Sequence, residues 1–484
     1  MGILRRLRGK RSGAYDGGGF DRKNQTGGWS VVGGTGEEIN QLSRDNIRAR
    51  ARDLERNSDN VGAIIDAMER GVVGTGIKLQ AKAVHSDGSD DKDLNEQIEE
   101  LWRIWSKPKN CDVAGRMSLS EIQDMATRRR MVDGGLMIVK CTVPDGKIPL
   151  QLQLKEVDEL DTSVSYYQSG DGNHKVVQGI ELNASGRIMA YHFKEYDLYG
   201  WTGRSVRVPS QHVIYLSHRT RPSEIREFSP LAKIIVRLRD LTQYMQAVSV
   251  KERVLACLSV FIEKAGGYGG YGRDRQQKDP STGYRQKKLT PGMIEELSAG
   301  DKVQVVNPSG QASNARDFVT MMLRSIGSSL GLSYEATSRD MSQVNYSSAR
   351  QGLIDDTKTY NRWQNYLTEH LLVPVYEEFL DSCVLSGALR IPDYFTHRER
   401  YTRCHFIPNG MPWIDPLKEA SGNKVALETG QTNLATICAA RGENWRDILD
   451  QRGKEIQYMR EIGILPAMQE GEGSIADEAE PKAD

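Results

Sequence analysis

Paired cysteines are the first feature that the sequence lacks. Its six cysteines are spread over 484 residues, and no two of them form a C-x-x-C motif. This spacing argues against a zinc ribbon and against a disulfide framework, so we expect a protein of a reducing compartment. No stretch approaches the ~20 uninterrupted apolar residues of a membrane span. The basic start, MGILRRLRGKR, lacks the apolar core of a secretion signal, and we expect a soluble protein without membrane contact.

A net charge is also missing, since 65 basic and 65 acidic residues cancel. Proteins that hold duplex DNA tightly usually carry a concentrated basic face, so a neutral chain argues against that class. It does not exclude a protein along which DNA slides. The charges are uneven at the two ends of the sequence. We expect residues 1–40 to form a flexible basic arm and residues 466–484 a disordered acidic tail.

A complete nucleotide-binding loop is absent as well. The stretch ERGVVGTGIKLQ places Gly71 and Gly76 at the spacing of a P-loop, but Ile77 stands where the motif requires lysine. Apolar spacing predicts one helix over residues 41–70, ended by Gly71, and the alternating IKLQAK predicts a strand. A P-loop needs the opposite order, a strand before a helix, so we interpret these glycines as a helix-ending turn.

No set of catalytic or metal-binding residues is evident in the sequence. The stretch GSSLG around Ser329 matches the G-x-S-x-G pattern of serine hydrolases, but that motif follows a strand, and here an amphipathic helix precedes it. A hydrolase with Ser329 as its nucleophile is kept as an alternative. His397, Cys404 and His405 lack a fourth ligand for zinc. We therefore expect no enzyme activity, no cofactor and no bound metal.

Residues 41–228 predict an α+β domain in which strands and helices do not alternate regularly. Its clearest signal is a capping box at Ser118 and Glu121, which begins a helix leading to the strand LMIVK. Further on, Ser229 is expected to cap, and Pro230 to begin, a long helix that reaches about residue 256. Apolar residues along this helix have a heptad-like spacing, which predicts packing against another long helix in the same chain or in a neighbour. They are Leu231, Ile234, Leu238, Leu241, Met245 and Val248.

Residues 257–308 predict a small α/β module between two helices, the second of which covers residues 309–337. Within the module, residues 266–288 are rich in glycine, tyrosine and basic residues without periodicity, which is typical of a long loop. A basic and aromatic mixture is also suited to stacking on nucleic acid. A host nucleic-acid-binding protein that uses this loop is therefore a second alternative.

The stretch SRDMSQVNYSSARQGLIDDTKTYNRWQ, residues 338–364, resembles the signature of tailed-phage portal proteins of the lambda type. Three further segments are similar to the same family and follow in its order: RARARDLERNSDNVGAIIDAMERGVVGTGIKLQ, VPSQHVIYLSHRTRPSEIREFSPLA and PWIDPLKEASGNKVALETGQTNLATI. In the last segment we expect Asp415 to cap a helix that begins at Pro416. The resemblance covers most of the chain, but neither its ends nor the loop at residues 266–288.

The resemblance implies a ring, usually of about twelve subunits, at one vertex of a phage head. Double-stranded DNA would enter through this ring during packaging and leave through it at infection. The implied fold is a multi-domain α+β fold with an α+β wing, a long helical stem, a small α/β clip and a C-terminal helical crown. In this sequence the parts would be the wing (41–228 and 348–411), the stem (229–256 and 309–337), the clip (257–308), the tunnel loop (338–347) and the crown (412–465).

The resemblance also implies where partners bind. The clip would bind the terminase large subunit and later the head–tail adaptor, and the ring would contact the major capsid and scaffold proteins. The ring would be assembled in the cytoplasm of the bacterial host and would remain in the virion. The docking residues that we expect in the clip are the basic residues of the loop at residues 266–288, which the resemblance does not cover: Arg273, Arg275, Lys278, Arg285, Lys287 and Lys288.

In the same picture, the tunnel loop lines the narrowest part of the channel, and the heptad-spaced residues of the stem pack one subunit against the next. Polar and apolar residues of the loop suit contact with DNA without tight binding. We predict that Gln343→Arg slows packaging and leaves ring assembly intact, because a basic bore would retain DNA. The implied loop residues are Arg339, Asp340, Met341, Ser342, Gln343, Val344, Asn345 and Tyr346.

Overall fold

The computed structural model describes residues 32–144, 146–166, 174–197, 199–257, 261–264, 301–304, 315–342, 345–410 and 416–462. Its α-helices are α1 (Gly36–Asn40), α2 (Arg44–Asn57), α3 (Asp59–Val72), α4 (Lys92–Trp105), α5 (Pro108–Cys111), α6 (Leu119–Val132), α7 (Ile235–Cys257), α8 (Ala315–Leu330), α9 (Tyr334–Ser338), α10 (Tyr346–Leu367), α11 (Val373–Leu385), α12 (Arg398–Tyr401), α13 (Pro416–Glu428), α14 (Leu434–Ala440) and α15 (Trp445–Glu461). Its strands are β1 (Lys78–Ala81), β2 (Gly135–Thr142), β3 (Leu150–Lys155), β4 (His174–Val177), β5 (Ile180–Asn183), β6 (Ile188–Asp197), β7 (Gly200–Pro209), β8 (Val213–Ser217), β9 (Phe261–Lys264), β10 (Asp301–Gln304) and β11 (Cys404–Ile407).

The described strands pair antiparallel throughout, in a three-stranded sheet β3-β2-β8, a four-stranded sheet β4-β5-β6-β7 and two pairs, β1-β11 and β9-β10. Strand β2 is central in its sheet, where Ile138 lies opposite Leu154 on one side and Ile214 on the other. Antiparallel pairing needs no crossover helices, and the mixture of helices and sheets confirms the predicted α+β class. In the part of the chain that the structure describes, no helix is long and apolar enough to cross a lipid bilayer.

The predicted capping box at the start of α6 is confirmed. The Glu121 backbone N–H donates to Ser118 Oγ at 3.4 Å, and the Ser118 backbone N–H donates to Glu121 Oε2 at 2.7 Å. Both hydrogen bonds satisfy backbone donors that have no partner inside the helix. The helix leads into β2, as expected from the sequence.

The single helix predicted over residues 41–70 is wrong, because the structure breaks it into α2 and α3. Ser58 at the break is extended (φ −122°, ψ 115°), and its hydroxyl lies 3.1 Å from Thr242 Oγ1 on α7. The break falls in the run Asn57-Ser58-Asp59-Asn60, whose short polar side chains compete for backbone hydrogen bonds. The apolar stripe continues across this run, which is why periodicity alone did not reveal it.

A large apolar core joins the helices to the sheet β3-β2-β8. Its centre is aromatic: the ring centroid of Trp102 lies 5.0 Å from those of Trp105 and Phe379. Trp105 is fully buried, and its indole N–H donates to the Leu150 carbonyl at 2.7 Å. A second, smaller core fills the space between the other face of this sheet and β5-β6, and it includes Val139, Leu160 and Phe193.

The long helix predicted from Ser229 begins differently from the expectation. Ser229 Oγ accepts the Leu231 backbone N–H at 3.2 Å, which confirms the cap, but a 3₁₀ turn over Pro230–Lys233 comes first and α7 starts at Ile235. The second helix, predicted over residues 309–337, is divided. Its described part consists of α8 and the short α9, separated at Gly331, which has a left-handed backbone (φ 76°).

The C-terminal stretch is helical over residues 416–428, 434–440 and 445–461, which agrees with the helices predicted there. Helix α13 begins at Pro416, as expected, whereas the predicted cap Asp415 lies outside the described residues. The buried Gln80 of β1 ties this region to the rest of the chain, because its Nε2 donates to Asn444 Oδ1 at 2.8 Å.

Candidate functional site

The segment between α9 and α10 corresponds to the predicted tunnel loop. Helix α9 ends at Ser338, and Arg339 after it adopts the left-handed conformation (φ 57°), which terminates the helix. Met341 follows with 62% of its surface exposed. Gln343 and Val344 lie outside the described residues, as does the side chain of Tyr346. The structure thus places an exposed apolar side chain beside charged and polar neighbours.

Hydrogen bonds hold both ends of this loop. Asp340 Oδ2 accepts the Tyr334 hydroxyl at 3.2 Å, and Asp340 Oδ1 accepts the Ser342 backbone N–H at 2.9 Å. The bonds from Ser342 are the main reason that the pKa of the exposed Asp340 carboxyl is lowered. A donor on α8 reaches the loop too, since Arg316 Nη2 donates to Ser342 Oγ at 3.3 Å. The loop is therefore fastened to α8 and α9, while Met341 and Ser342 stay exposed.

Asn345 begins α10 with a capping box. Its Oδ1 accepts the Ser348 backbone N–H at 2.9 Å, and its own backbone N–H donates to Ser348 Oγ at 3.1 Å. The sequence NYSS thus fixes where the loop ends and the helix begins. The signature stretch consequently has a local structural role in addition to any contact that its exposed residues make.

Four of the six heptad-spaced residues of the predicted stem are used inside the subunit. Leu231, Ile234, Leu238 and Leu241 are at most 1% exposed and belong to the large core. These four side chains are not available for contact with a neighbouring subunit, because burial in their own chain already explains their apolar character. Helix α7 also packs on α8 within the chain, where the rings of Tyr244 and Phe318 lie 4.6 Å apart.

The outward face of α7 carries a different set of apolar residues. Met245 is 38% exposed and Val248 is half-buried, so packing between subunits stays a prediction for these two residues. The structure adds Val236 and Val250, which are 69% and 47% exposed. Sequence reasoning missed them because they fall outside the heptad register of the buried residues.

The predicted clip is described only at its base. Strands β9 and β10 pair antiparallel, with Phe261 opposite Gln304 and Lys264 opposite Asp301. The proposed docking residues Arg273, Arg275, Lys278, Arg285, Lys287 and Lys288 lie outside the described residues.

The glycines that resemble a P-loop are packing positions. Helix α3 continues through Gly71 to Val72, so the predicted stop at Gly71 is wrong by one residue, and β1 follows it. Gly74 has a left-handed backbone (φ 58°), and the space a Cβ would need is filled by Asn409. The order helix, turn, strand is confirmed, which excludes a P-loop at this place.

The other chemical motifs do not form sites. Ser329 lies in the last turn of α8, with no strand before it, and its hydroxyl donates to the Ser325 carbonyl at 3.0 Å. The geometry of a nucleophile elbow is therefore lacking. Cys404 and His405 are consecutive residues of β11, and in the described part of the chain no group of three or more His, Cys, Asp or Glu side chains is placed to hold a metal ion.

A buried charge cluster joins α2 to the segment before α7, and sequence reasoning missed it. The carboxylate of the fully buried Glu227 accepts hydrogen bonds from Arg48 Nη1 and Arg226 Nη2, both at 3.0 Å, and from the Tyr215 hydroxyl at 2.5 Å. Burial alone would raise the pKa of Glu227, but Arg226, Arg48 and Arg44 outweigh it and the pKa is lowered. The signal was the charged run RTRPSEIREF, which composition alone assigns to a solvated surface.

Comparison with known proteins agrees with the resemblance. The model of the lambda family of phage portal proteins matches residues 22–364. The probable portal protein of Halomonas phage phiHAP-1 is 26% identical over 444 residues, which cover 90% of this chain and 85% of that protein. Portal protein B of Escherichia phage lambda is 19% identical over 489 residues, which cover 93% of this chain and 91% of that protein.

Among solved structures, the neck of the native gene transfer agent particle, computed with C12 symmetry, matches with a TM-score of 0.43 and 12% identity, covering 81% of this chain and 95% of that chain. An HK97 family phage portal protein from Corynebacterium diphtheriae matches with a TM-score of 0.34 and 9% identity, covering 77% of this chain and 97% of that chain. The family match covers more than half of the sequence, and the chain belongs to the lambda family of phage portal proteins.

Proposed function

We propose that this chain forms a ring at one vertex of a phage capsid, through which double-stranded DNA is packaged by a terminase motor and later ejected. The observation that carries this proposal, beside membership of the family, is the loop at residues 339–345. It is fastened at both ends and exposes Met341 at its tip. A loop of this kind, repeated around a ring, would bring the exposed Met341 of every subunit to the channel wall.

The charge of the loop suits DNA that moves. Arg339 and Asp340 cancel, and the chain as a whole has a formal net charge of zero. Each phosphate contact strengthens binding and makes it salt-dependent, and a ring repeats every contact around the channel. A channel with few net positive charges therefore passes DNA without retaining it.

The remaining parts are assigned by the same proposal. The module based on β9 and β10 is the clip, to which the terminase large subunit and then a head–tail adaptor bind. The capsid and scaffold proteins contact the outside of the ring. Exposed apolar residues on α7, including Met245, contact the neighbouring subunit.

Negative-stain electron microscopy of the purified full-length chain tests the ring. We expect particles with rotational symmetry and a central hole wide enough for duplex DNA. Monomers under all conditions of salt, concentration and temperature would contradict the proposal. An assay of DNA packaging with purified terminase and empty capsids then tests whether the ring serves as the DNA entrance.

A further inference from the structure

A cavity of about 720 Å³ lies where β8, the start of the stem, the end of α8 and the middle of α10 meet. Its volume falls within the range of small-molecule sites. Five cationic side chains line it and only one carboxylate, Glu369, does so. The cations are Arg130, Arg219, Lys233, Lys358 and Arg362.

Arg130 is the most deeply buried of these cations, with only 8% of its surface exposed. Its guanidinium carbon lies 3.8 Å from the ring centroid of Tyr366 and 4.3 Å from that of Trp363. The ring faces attract the charge but do not replace an oxygen acceptor, and its buried Nε has no hydrogen-bond partner. Within the described residues, no carboxylate forms an ion pair with it.

Ser217, another residue of the cavity wall, has a second buried polar atom without a partner. Its backbone is satisfied by Tyr366, whose hydroxyl accepts the Ser217 N–H and donates to the Ser217 carbonyl, both at 2.9 Å. The residue is only 4% exposed, and its hydroxyl is buried without a hydrogen-bond partner. Buried polar atoms are nearly always hydrogen-bonded, so these two atoms beside one cavity are exceptions within the described residues.

The cations around the cavity differ in whether an acceptor or a carboxylate of the chain already binds them. Lys233 donates to the Ser329 carbonyl, and Lys358 pairs with Asp355 at 2.9 Å. Arg219 and Arg362 form no ion pair within the part of the chain that is described. The local potential is therefore positive. Burial is the main reason that the pKa of His218 on the cavity wall is lowered to about 4, and the charge of Arg130 adds to this effect.

We propose that this cavity binds a phosphoryl oxyanion, held by Arg130, Arg362 and Arg219. A phosphoryl group is favoured over a carboxylate because it offers more acceptor oxygens and more negative charge to several guanidinium groups. The group comes either from free inorganic phosphate or from the phosphodiester backbone of a nucleic acid. The site is built within one subunit, so its occupancy does not depend on ring formation or on the proposed channel.

Isothermal titration calorimetry of the full-length chain with inorganic phosphate, in chloride buffer at constant ionic strength, tests the proposal. We expect saturable binding of one phosphate per subunit. Arg362→Gln, at an exposed position, is expected to weaken it at least ~10-fold without harming the core, and Arg130→Lys to weaken it as well. The control Arg390→Gln, exposed and outside the cavity, is expected to leave it unchanged.

The absence of saturable binding, or binding that neither cavity variant alters, would overturn the proposal. Sodium acetate that binds as tightly as phosphate would overturn it too, since the site would then prefer no phosphoryl group. A short single-stranded oligonucleotide distinguishes the two sources. If it displaces phosphate, and Arg362→Gln weakens that displacement, the site takes the nucleic-acid backbone. If phosphate binds and the oligonucleotide does not displace it, the site takes the free ion.

Discussion

Gly71 of α3 lies directly against the ring of Tyr360 on α10, so that a Cβ at this glycine would stand 2.5 Å from Tyr360 Cζ. The close approach is reinforced by Gln364 one turn further along α10. Its Nε2 donates to the carbonyls of Gly71 and Val72, both at 3.1 Å. Gly71 therefore sets the distance between the two helices, and α10 is the helix that begins at the exposed loop.

Gly71→Ala is expected to destabilise the chain by about 1–2 kcal/mol. Alanine favours a helix by up to ~1 kcal/mol over glycine, but overpacking against a buried ring costs ~1–3 kcal/mol. Gly62→Ala in the same helix is the matched control, since nothing lies within 4 Å of its added Cβ. We expect this control to raise stability slightly. Urea unfolding followed by circular dichroism compares them, and equal shifts in both variants would contradict the packing role.

The sequence predicted the elements whose signals are local. The cap at Ser118 and the cap at Ser229 each depend on backbone groups within three residues, so the sequence nearby determines them. The break at Ser58 also had a local signal, but the apolar stripe that crosses it dominated the prediction. The resemblance to the portal family then supplied the expected order of wing, stem, clip, tunnel loop and crown. Residue propensity and apolar periodicity do not predict such an order.

What the sequence could not predict depends on partners that are distant in the chain. Arg130, Ser217 and Trp363 line one cavity, yet no spacing relates them. The heptad register of α7 had two explanations, the core of its own chain and a neighbouring subunit. Only the packing of α2, α3 and α8 around α7 shows that Leu238 and Leu241 belong to the core of their own chain.

Glu227→Gln is expected to destabilise the chain by about 3–5 kcal/mol, because it removes the counter-charge of the buried Arg226 and one of the carboxylates that pair with Arg48. The exposed pair of Glu100 and Arg103 provides a control, with side chains 52% and 74% exposed. Glu100→Gln is expected to cost at most ~1 kcal/mol. Thermal and urea unfolding of both variants give the comparison. A loss at Glu227 no larger than at Glu100 would show that the buried cluster does not fix α2 to the segment before α7.

Met245→Glu is expected to prevent or strongly reduce ring assembly while the subunit stays folded. Met245 lines a groove of about 560 Å³ beside the break between α2 and α3, and a buried unpaired charge at a subunit contact is costly. Gln97→Glu adds the same charge to an exposed position of α4 and serves as the control. Sedimentation velocity measures the ring fraction. Rings of Met245→Glu as abundant as those of the control would exclude this face of α7 from the subunit contact.

Met341→Arg is expected to slow DNA packaging while rings still form. The side chain is exposed at the loop tip, and the substitution adds one positive charge per subunit to a loop in which Arg339 and Asp340 now cancel. In the proposed channel each added charge contacts phosphate, so the slowing is expected to weaken as salt rises, since counterion release makes such binding salt-dependent.

Met341→Gln is the matched control for this prediction, because it changes polarity at the same position without adding charge. Electron microscopy of both variants first verifies that rings are present. DNA filling of capsids is then measured at low and high salt. If Met341→Arg fills capsids at the rate of Met341→Gln under both conditions, this loop does not face the DNA, and the channel is lined by another part of the chain.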